Sequence, residues 1–301
     1  MKLSTFSKKA IIESLNSDGL ALKIGLFNVK LSSPITAVAE HLICLYGAFD
    51  TLHAEDFIDF NVAIEAPLSI RRYLRPQVNF SLDGFIPFKP LPYAQAAAFF
   101  EWGLNWCISG NSNQFLIIHA AVVELNKQAF IFPGAPGSGK STLSAAMVCR
   151  GWRLLSDELT LLCVADGLIY PVPRPISLKN QSLDIISQFS PDAVIGSIVH
   201  DTLKGSVGHM RPPDNSVDFS AIPAQPAKVI FPKFKLGANT GLIPLSKGKT
   251  LLKLAENCLN YSVLGLDGFN ALGQLCDASD CYDFSYSDLD EAVALFTELA
   301  V

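Results

Sequence analysis

The chain has 301 residues, half of them hydrophobic and only 17% charged, with a net charge of −5. This balance excludes a basic nucleic-acid-binding surface, and the length admits one large domain or two ordinary ones. So little charge leaves much apolar surface to hide in a large core or at a subunit interface, and a homo-oligomer is expected.

Seven cysteines are scattered without a C-x-x-C pair, which fits reduced thiols in a cytoplasmic protein. The N-terminus lacks the apolar stretch of a secretory signal, and no apolar run reaches membrane-spanning length. The expectation is a soluble cytoplasmic protein with no membrane or nucleic-acid partner.

In chain order, residues 19–31, 57–64 and 78–82 read as strands, the last ending at a turn on Asp83 and Gly84. Arg71, Arg72 and Arg75 mark an exposed turn. Residues 93–107 read as a helix apolar nearly all round, with Phe99, Phe100, Trp102, Leu104 and Trp106, interrupted by Gln95, Glu101 and Asn105. Such a helix is buried. A polar loop at 110–113 divides the chain into a smaller α+β N-terminal region, 1–112, and an α/β domain, 113–301. The first is a place for acceptor or partner binding.

The second part opens with an apolar strand at 115–124 interrupted by His119, a turn on Asn126 and Lys127, and a buried strand at 129–132. A helix over 141–150 follows, with Gly151 placed to end it in a left-handed conformation. Between strand and helix, residues 134–141 match G-x-x-x-x-G-K-[ST] in full. The glycines let successive backbone N–H groups approach phosphate oxygens. The helix N-terminus adds unsatisfied donors and its dipole. Gly134, Ala135, Pro136, Gly137, Ser138, Gly139, Lys140, Ser141 and Thr142 are therefore the expected nucleotide cradle. Within it Lys140 neutralises the β- and γ-phosphates and Ser141 coordinates Mg²⁺.

A helix of ten residues carries the chain about 15 Å from the phosphates, and a strand at 152–156 brings it back by about 16 Å. In a right-handed crossover between parallel strands, Asp157 and Glu158 emerge beside the loop. An acidic pair there can hold Mg²⁺ or accept a proton from an attacking hydroxyl. His119 is either a hydrogen-bonded core histidine or a member of the site. Further on, Arg174, Ser177, Lys179 and Asn180 follow a proline-stiffened stretch. Residues 200–213, with Lys204, His209 and Arg211, have the composition of a mobile loop closing over phosphate or substrate, or of a plain surface loop. Ser287 is placed to cap a last helix, whose first turn is acidic.

The motifs at His119, 134–142 and Arg150–Glu158 resemble the catalytic domain of HPr kinase/phosphorylase. With 101–107, 173–180 and 281–289 added, most of the chain resembles the group called HPr-kinase-related kinase A. The resemblance implies a P-loop on the mixed sheet shared with phosphoenolpyruvate carboxykinases, with ATP and Mg²⁺ as cofactors. It implies Asp157 as the base that activates the acceptor hydroxyl, Glu158 at the Mg²⁺ site beside Ser141, and His119 close by. Two positions depart from the family: Ser141 is followed by Thr142 where HPr kinases have Glu, and the later Glu signature has only an echo at 177–180. The reading is an ATP- and Mg²⁺-dependent kinase of a hydroxyl acceptor on a peptide or small protein, with Lys179, Lys204, His209 and Arg211 clamping the transferring group. A kinase of a small-molecule hydroxyl and an ATPase switch without an acceptor are the alternatives.

Overall fold

The computed structural model describes residues 1–135 and 137–300, so Pro136 of the expected cradle lies outside the described residues. Residues 1–111 form α1 (Lys8–Asn16), β1 (Leu20–Ile24), β2 (Phe27–Ser32), α2 (Thr36–Leu45), β3 (Phe60–Glu65), β4 (Gln77–Leu82), β5 (Leu91–Pro92) and α3 (Ala96–Asn111). The strands pair in chain order as one five-stranded sheet, antiparallel except for β2 beside β3. Residues 19–31, expected as one strand, split at Gly25 (φ 62°) into a hairpin. The expected helix is α3, which runs on to Asn111 through the anticipated loop.

The chain continues as β6 (Phe115–Leu125), β7 (Gln128–Pro133), α4 (Lys140–Cys149), β8 (Arg153–Ser156), β9 (Leu159–Cys163) and β10 (Ile169–Tyr170). Then come β11 (Ile176–Lys179), α5 (Gln181–Phe189), β12 (Val199–Thr202), β13 (Gly205–Met210), α6 (Asp214–Asp218) and β14 (Gln225–Phe234). The last elements are β15 (Gly241–Pro244), α7 (Lys247–Ala255), α8 (Tyr261–Leu264), α9 (Leu266–Ala278), β16 (Asp280–Tyr286) and α10 (Leu289–Leu299). An eight-stranded mixed sheet runs β10-β9-β6-β7-β14-β16-β15, with β8 also on β6, and β11, β13 and β12 form a small antiparallel sheet. This is an α/β fold with two mixed sheets and one small antiparallel sheet.

β6 is buried on both faces, which accounts for its nearly unbroken apolar run. Asn126 (φ 53°) and Lys127 (φ 66°) turn it tightly into β7. The helix after β7 ends as its sequence anticipates. Gly151 stands at φ 96°, Trp152 N donates to Met147 O, and Gly151 N donates to Val148 O, a Schellman stop.

β7 and β8 both run antiparallel to β6 and flank it, so they are parallel to each other with one strand between. The crossover through α4 therefore returns to the expected edge without making the two strands neighbours. Ser156 lies opposite Val122 and Leu159 opposite His119, so β8 and β9 are one line of chain broken only at Asp157 and Glu158. The break is hydrogen-bonded: Leu159 N donates to Ser156 Oγ, and Thr160 Oγ1 donates to Ala120 O. The acidic pair thus sits mid-strand, not at a strand end.

Three apolar cores cover the large sheet. One packs α4, α5 and α10 on one face, around Trp152, Phe130 and Phe296. Another packs α7 and α9 on the opposite face. The third belongs to the N-terminal region but includes Phe115, Ile117, Leu159 and Leu161 of β6 and β9. Side chains alternate along β6, so Ile117 joins the N-terminal core, Ala121 joins the α4 core, and His119 stands on the same face at the seam between them. Elsewhere, the expected cap Ser287 donates to Ala238 O, and Asp288 caps α10 by accepting from Glu291 N. All seven cysteines are free thiols. Among the described residues no helix is long and apolar enough to cross a membrane.

Candidate functional site

The glycine-rich loop leaves β7 at Gly134 and enters α4 through Gly139, which stands at φ 97° as the helix N-cap. Gly134 (φ 148°) and Gly137 (φ 84°) are also in the region that favours glycine. At Gly139 space matters as well, because a Cβ would lie 2.5 Å from the Tyr286 hydroxyl. That hydroxyl donates to Gly139 O, so the last strand of the sheet buttresses the loop.

Lys140 folds back over the loop and donates to Gly134 O and to Ala135 O (3.2 Å). Burial lowers its pKa, and Lys179 lowers it further against the pull of Asp157 and Glu158. Ser138 Oγ is inaccessible to water and has no partner among the described residues. An orphan donor beside a glycine cradle at a helix N-terminus fits a phosphate group. Thr142 Oγ1 is engaged elsewhere, 2.7 Å from Ser182 Oγ on α5.

Asp157 is buried against this loop. Its Oδ2 accepts from Ser141 Oγ (3.3 Å) and Ser177 N (2.9 Å), and its Oδ1 accepts from Ser144 Oγ (3.4 Å). Burial, with Glu158 alongside, pushes its pKa up to about 6. Glu158 points the other way. Its Oε2 accepts from Asn105 Nδ2 (2.5 Å), and its Oε1 lies 3.5 Å from Lys179 Nζ. Burial works to raise its pKa, but Lys179, Lys204, Arg174 and His119 together hold it below the ordinary value. The structure therefore pairs Ser141 with Asp157, whereas the sequence reading paired it with Glu158. Mg²⁺ is typically held by one or two carboxylates plus substrate phosphates. Ser141 and Asp157 fit such a site, and among the described residues no larger cluster of ligands competes.

His119 has a pKa lowered by burial and by Lys140, with Lys179 and Lys204 adding to the effect and Glu158 opposing it. Lys179 and Lys204 line a cavity of about 290 Å³ beside Asp157 and Glu158. Two expected clamp residues behave differently. His209 lines the cavity, but burial holds its pKa down to about 4, so it is a neutral ring packed edge-on against His41. Arg211 pairs with Asp214 (2.7 Å) and does not line the cavity. The segment expected as a mobile loop is the β12–β13 hairpin, closed by Thr202 Oγ1 donating to Gly205 O, with Gly205 at φ 81°.

The N-terminal region reaches into this site through α3. Glu101 accepts from Arg174 (2.5 Å), Tyr46 (2.7 Å) and His41 (2.7 Å), all buried. Arg174 donates in turn to Asn105 Oδ1 (2.6 Å), whose amide nitrogen holds Glu158. Arg174 holds the Glu101 carboxyl ionised against the opposing effect of burial. Sequence reasoning did not select Glu101, Asn105 or Arg174 as site residues. Their signal was a carboxylate and an amide four residues apart, on one face of an otherwise apolar helix.

No family profile and no curated protein matches this chain. Among solved structures it is similar to the Hpr(Ser) kinase/phosphatase from Coxiella burnetii, at 13% identity across 61% of this chain and 96% of that one, with a TM-score of 0.26. A score so low sets up no residue-by-residue correspondence, and the chemistry rests on this chain's own side chains.

Proposed function

We propose that this protein is a Mg²⁺- and ATP-dependent kinase that transfers the γ-phosphoryl group to a hydroxyl acceptor. The observation that carries the reading is Asp157. It is a buried carboxylate hydrogen-bonded to Ser141 of the phosphate loop and also lines the cavity. It thus stands between a triphosphate site and a space for an acceptor.

The backbone donors of 134–141 and the Lys140 ammonium bind the phosphates, and Lys179 and Lys204 balance charge on the transferring group. Asp157 orients the acceptor hydroxyl and takes its proton, a task suited to a carboxylate whose pKa is raised toward neutrality. The acceptor oxygen forms its bond to the γ-phosphorus as the bond from that phosphorus to the β,γ-bridging oxygen breaks, giving ADP and a phosphate ester. Mg²⁺, when held by Ser141 and Asp157, supplies neutralisation of phosphate charge. Glu158, kept ionised and fixed by Asn105 and Lys179, orients the lysine at the mouth of the cavity.

The test is a pair of variants. Asp157→Asn is expected to retain ATP binding while ATP consumption falls by at least a hundredfold, whereas Lys140→Ala loses both. Full turnover in Asp157→Asn would sink the reading. The ATPase-switch alternative is separated by whether ATP consumption depends on an added hydroxyl compound.

A further inference from the structure

The cavity beside Asp157 has a lining of divided chemistry. Its buried end carries Asp157, Glu158, Asn105 and Arg174, and its walls carry Phe99, Trp102, Leu91, Val172 and Leu203. Trp102 lies over Phe99 at 5.7 Å between ring centroids and 25° between planes, and is backed by Phe88 at 4.4 Å. Trp102 nevertheless remains 46% exposed, and Leu203 at the tip of the β12–β13 hairpin is fully exposed. Two large apolar side chains thus leave apolar surface in water at the border of the cavity that holds the buried carboxylate. Gln95 Nε2 donates to Asp201 O (3.2 Å), tying the start of α3 to the hairpin and bridging one side of the entrance.

We infer that this cavity is the acceptor site and that its ligand is a small molecule with a flat apolar body and a hydroxyl group, not a side chain on a folded protein. The inference rests on the kinase reading only for what happens to the hydroxyl; binding stands apart from it. A volume of about 290 Å³ is at the low end of small-molecule sites, which are likewise mostly apolar with a few placed polar groups. A ring slotted between Trp102 and Leu203 removes both from water, at about 25 cal/mol per Å² of apolar surface. Its hydroxyl then reaches Asp157. A serine side chain, whose hydroxyl stands two bonds from its Cα, carries no apolar body to cover Trp102 and Leu203.

The probe is 2-phenylethanol, an aromatic primary alcohol, with glycerol as the control lacking an apolar body. Binding to the full chain is read by saturation-transfer NMR, and ATP binding is read separately with a fluorescent ATP analogue. The expected result is saturation transfer to 2-phenylethanol and none to glycerol. The exposed-site variants Leu203→Asp and Trp102→Ala are expected to weaken that binding at least tenfold and leave the ATP analogue's affinity unchanged. In a phosphorylation assay with radiolabelled ATP, 2-phenylethanol takes up label and an unstructured serine peptide does not. Absence of saturation transfer, undiminished transfer in Leu203→Asp, or labelling of the peptide alone overturns the inference while leaving a kinase in place. Aromatic-alcohol binding without any binding of the ATP analogue keeps the ligand assigned to the cavity and removes the kinase, and with it the acceptor role.

Discussion

Ser141 Oγ donates to Asp157 Oδ2 across 3.3 Å, joining the first turn of α4 to a break in the strand two places across the sheet. The bond spans 16 residues of sequence, and its geometry depends on β7 and β8 flanking β6 in the same direction. Each end of it can be perturbed separately.

The Asp157 carboxyl has a folded pKa of about 6 against an ordinary 3.8. Between those values the folded state binds the extra proton, so this group's contribution to stability is fully present below about pH 4 and is lost as pH rises through 6. Turnover needs the ionised form, which Mg²⁺ held by Ser141 and Asp157 favours further, so the acid limb of turnover is expected to lie below the pH at which metal-free Asp157 titrates. Asp157→Asn removes the buried charge, and thermal unfolding at pH 7.5 is expected to show a gain of about 1–3 kcal/mol. A lower melting temperature than the parent, or turnover that rises only above pH 6, contradicts this account.

Gly139→Ala meets two obstacles, a left-handed backbone and a Cβ 2.5 Å from the Tyr286 hydroxyl. Gly84→Ala meets only the first, since nothing lies within 4 Å of the added atom at φ 80°. The second variant is expected to lose about 1–2 kcal/mol from the backbone term and keep ATP binding. The first is expected to lose more stability and at least tenfold in ATP affinity, read by denaturation and nucleotide titration. Equal losses in both would mean that Tyr286 yields freely.

Glu101→Gln leaves the Arg174 guanidinium buried against a neutral amide. Breaking such a pair on one side costs about 3–5 kcal/mol. Asp290→Ala opens the Arg150–Asp290 contact (3.1 Å), which is exposed to solvent, and the expected cost is below about 1 kcal/mol. Urea midpoints of the two variants decide the matter, and similar midpoints argue against the network as a structural joint.

Asn105→Asp places a carboxylate against Glu158 where an amide now donates. Like charges raise each other's pKa, so the acid limb of the pH–rate profile is expected to move upward and kcat to fall. Asn105→Gln, which keeps the amide, should restore part of the rate. A merely structural role for Asn105 would leave the limb in place.

The strand and helix that flank the glycine-rich loop and the Schellman stop were legible because each depends on local chemistry: glycine freedom, periodicity and capping. The nearness of Asp157 to the loop followed from rise per residue and the direction of return. The intervening β6 could not be read that way, since pairing order is decided by contacts between distant segments. The same limit hid the role of Arg174, whose partners Glu101 and Asn105 are about 70 residues away in sequence. His209 was misjudged because charge was inferred from residue type, and burial removes that charge. The β12–β13 hairpin reads as a loop, mobile or plain, because the segment is polar and glycine-punctuated and its strands alternate weakly.

Phe115, Ile117, Leu159 and Leu161 belong by strand to the large sheet and by packing to the N-terminal core. Neither half is a transferable module: a recombination at the residue 112 joint would hand each new chain an unfinished interior.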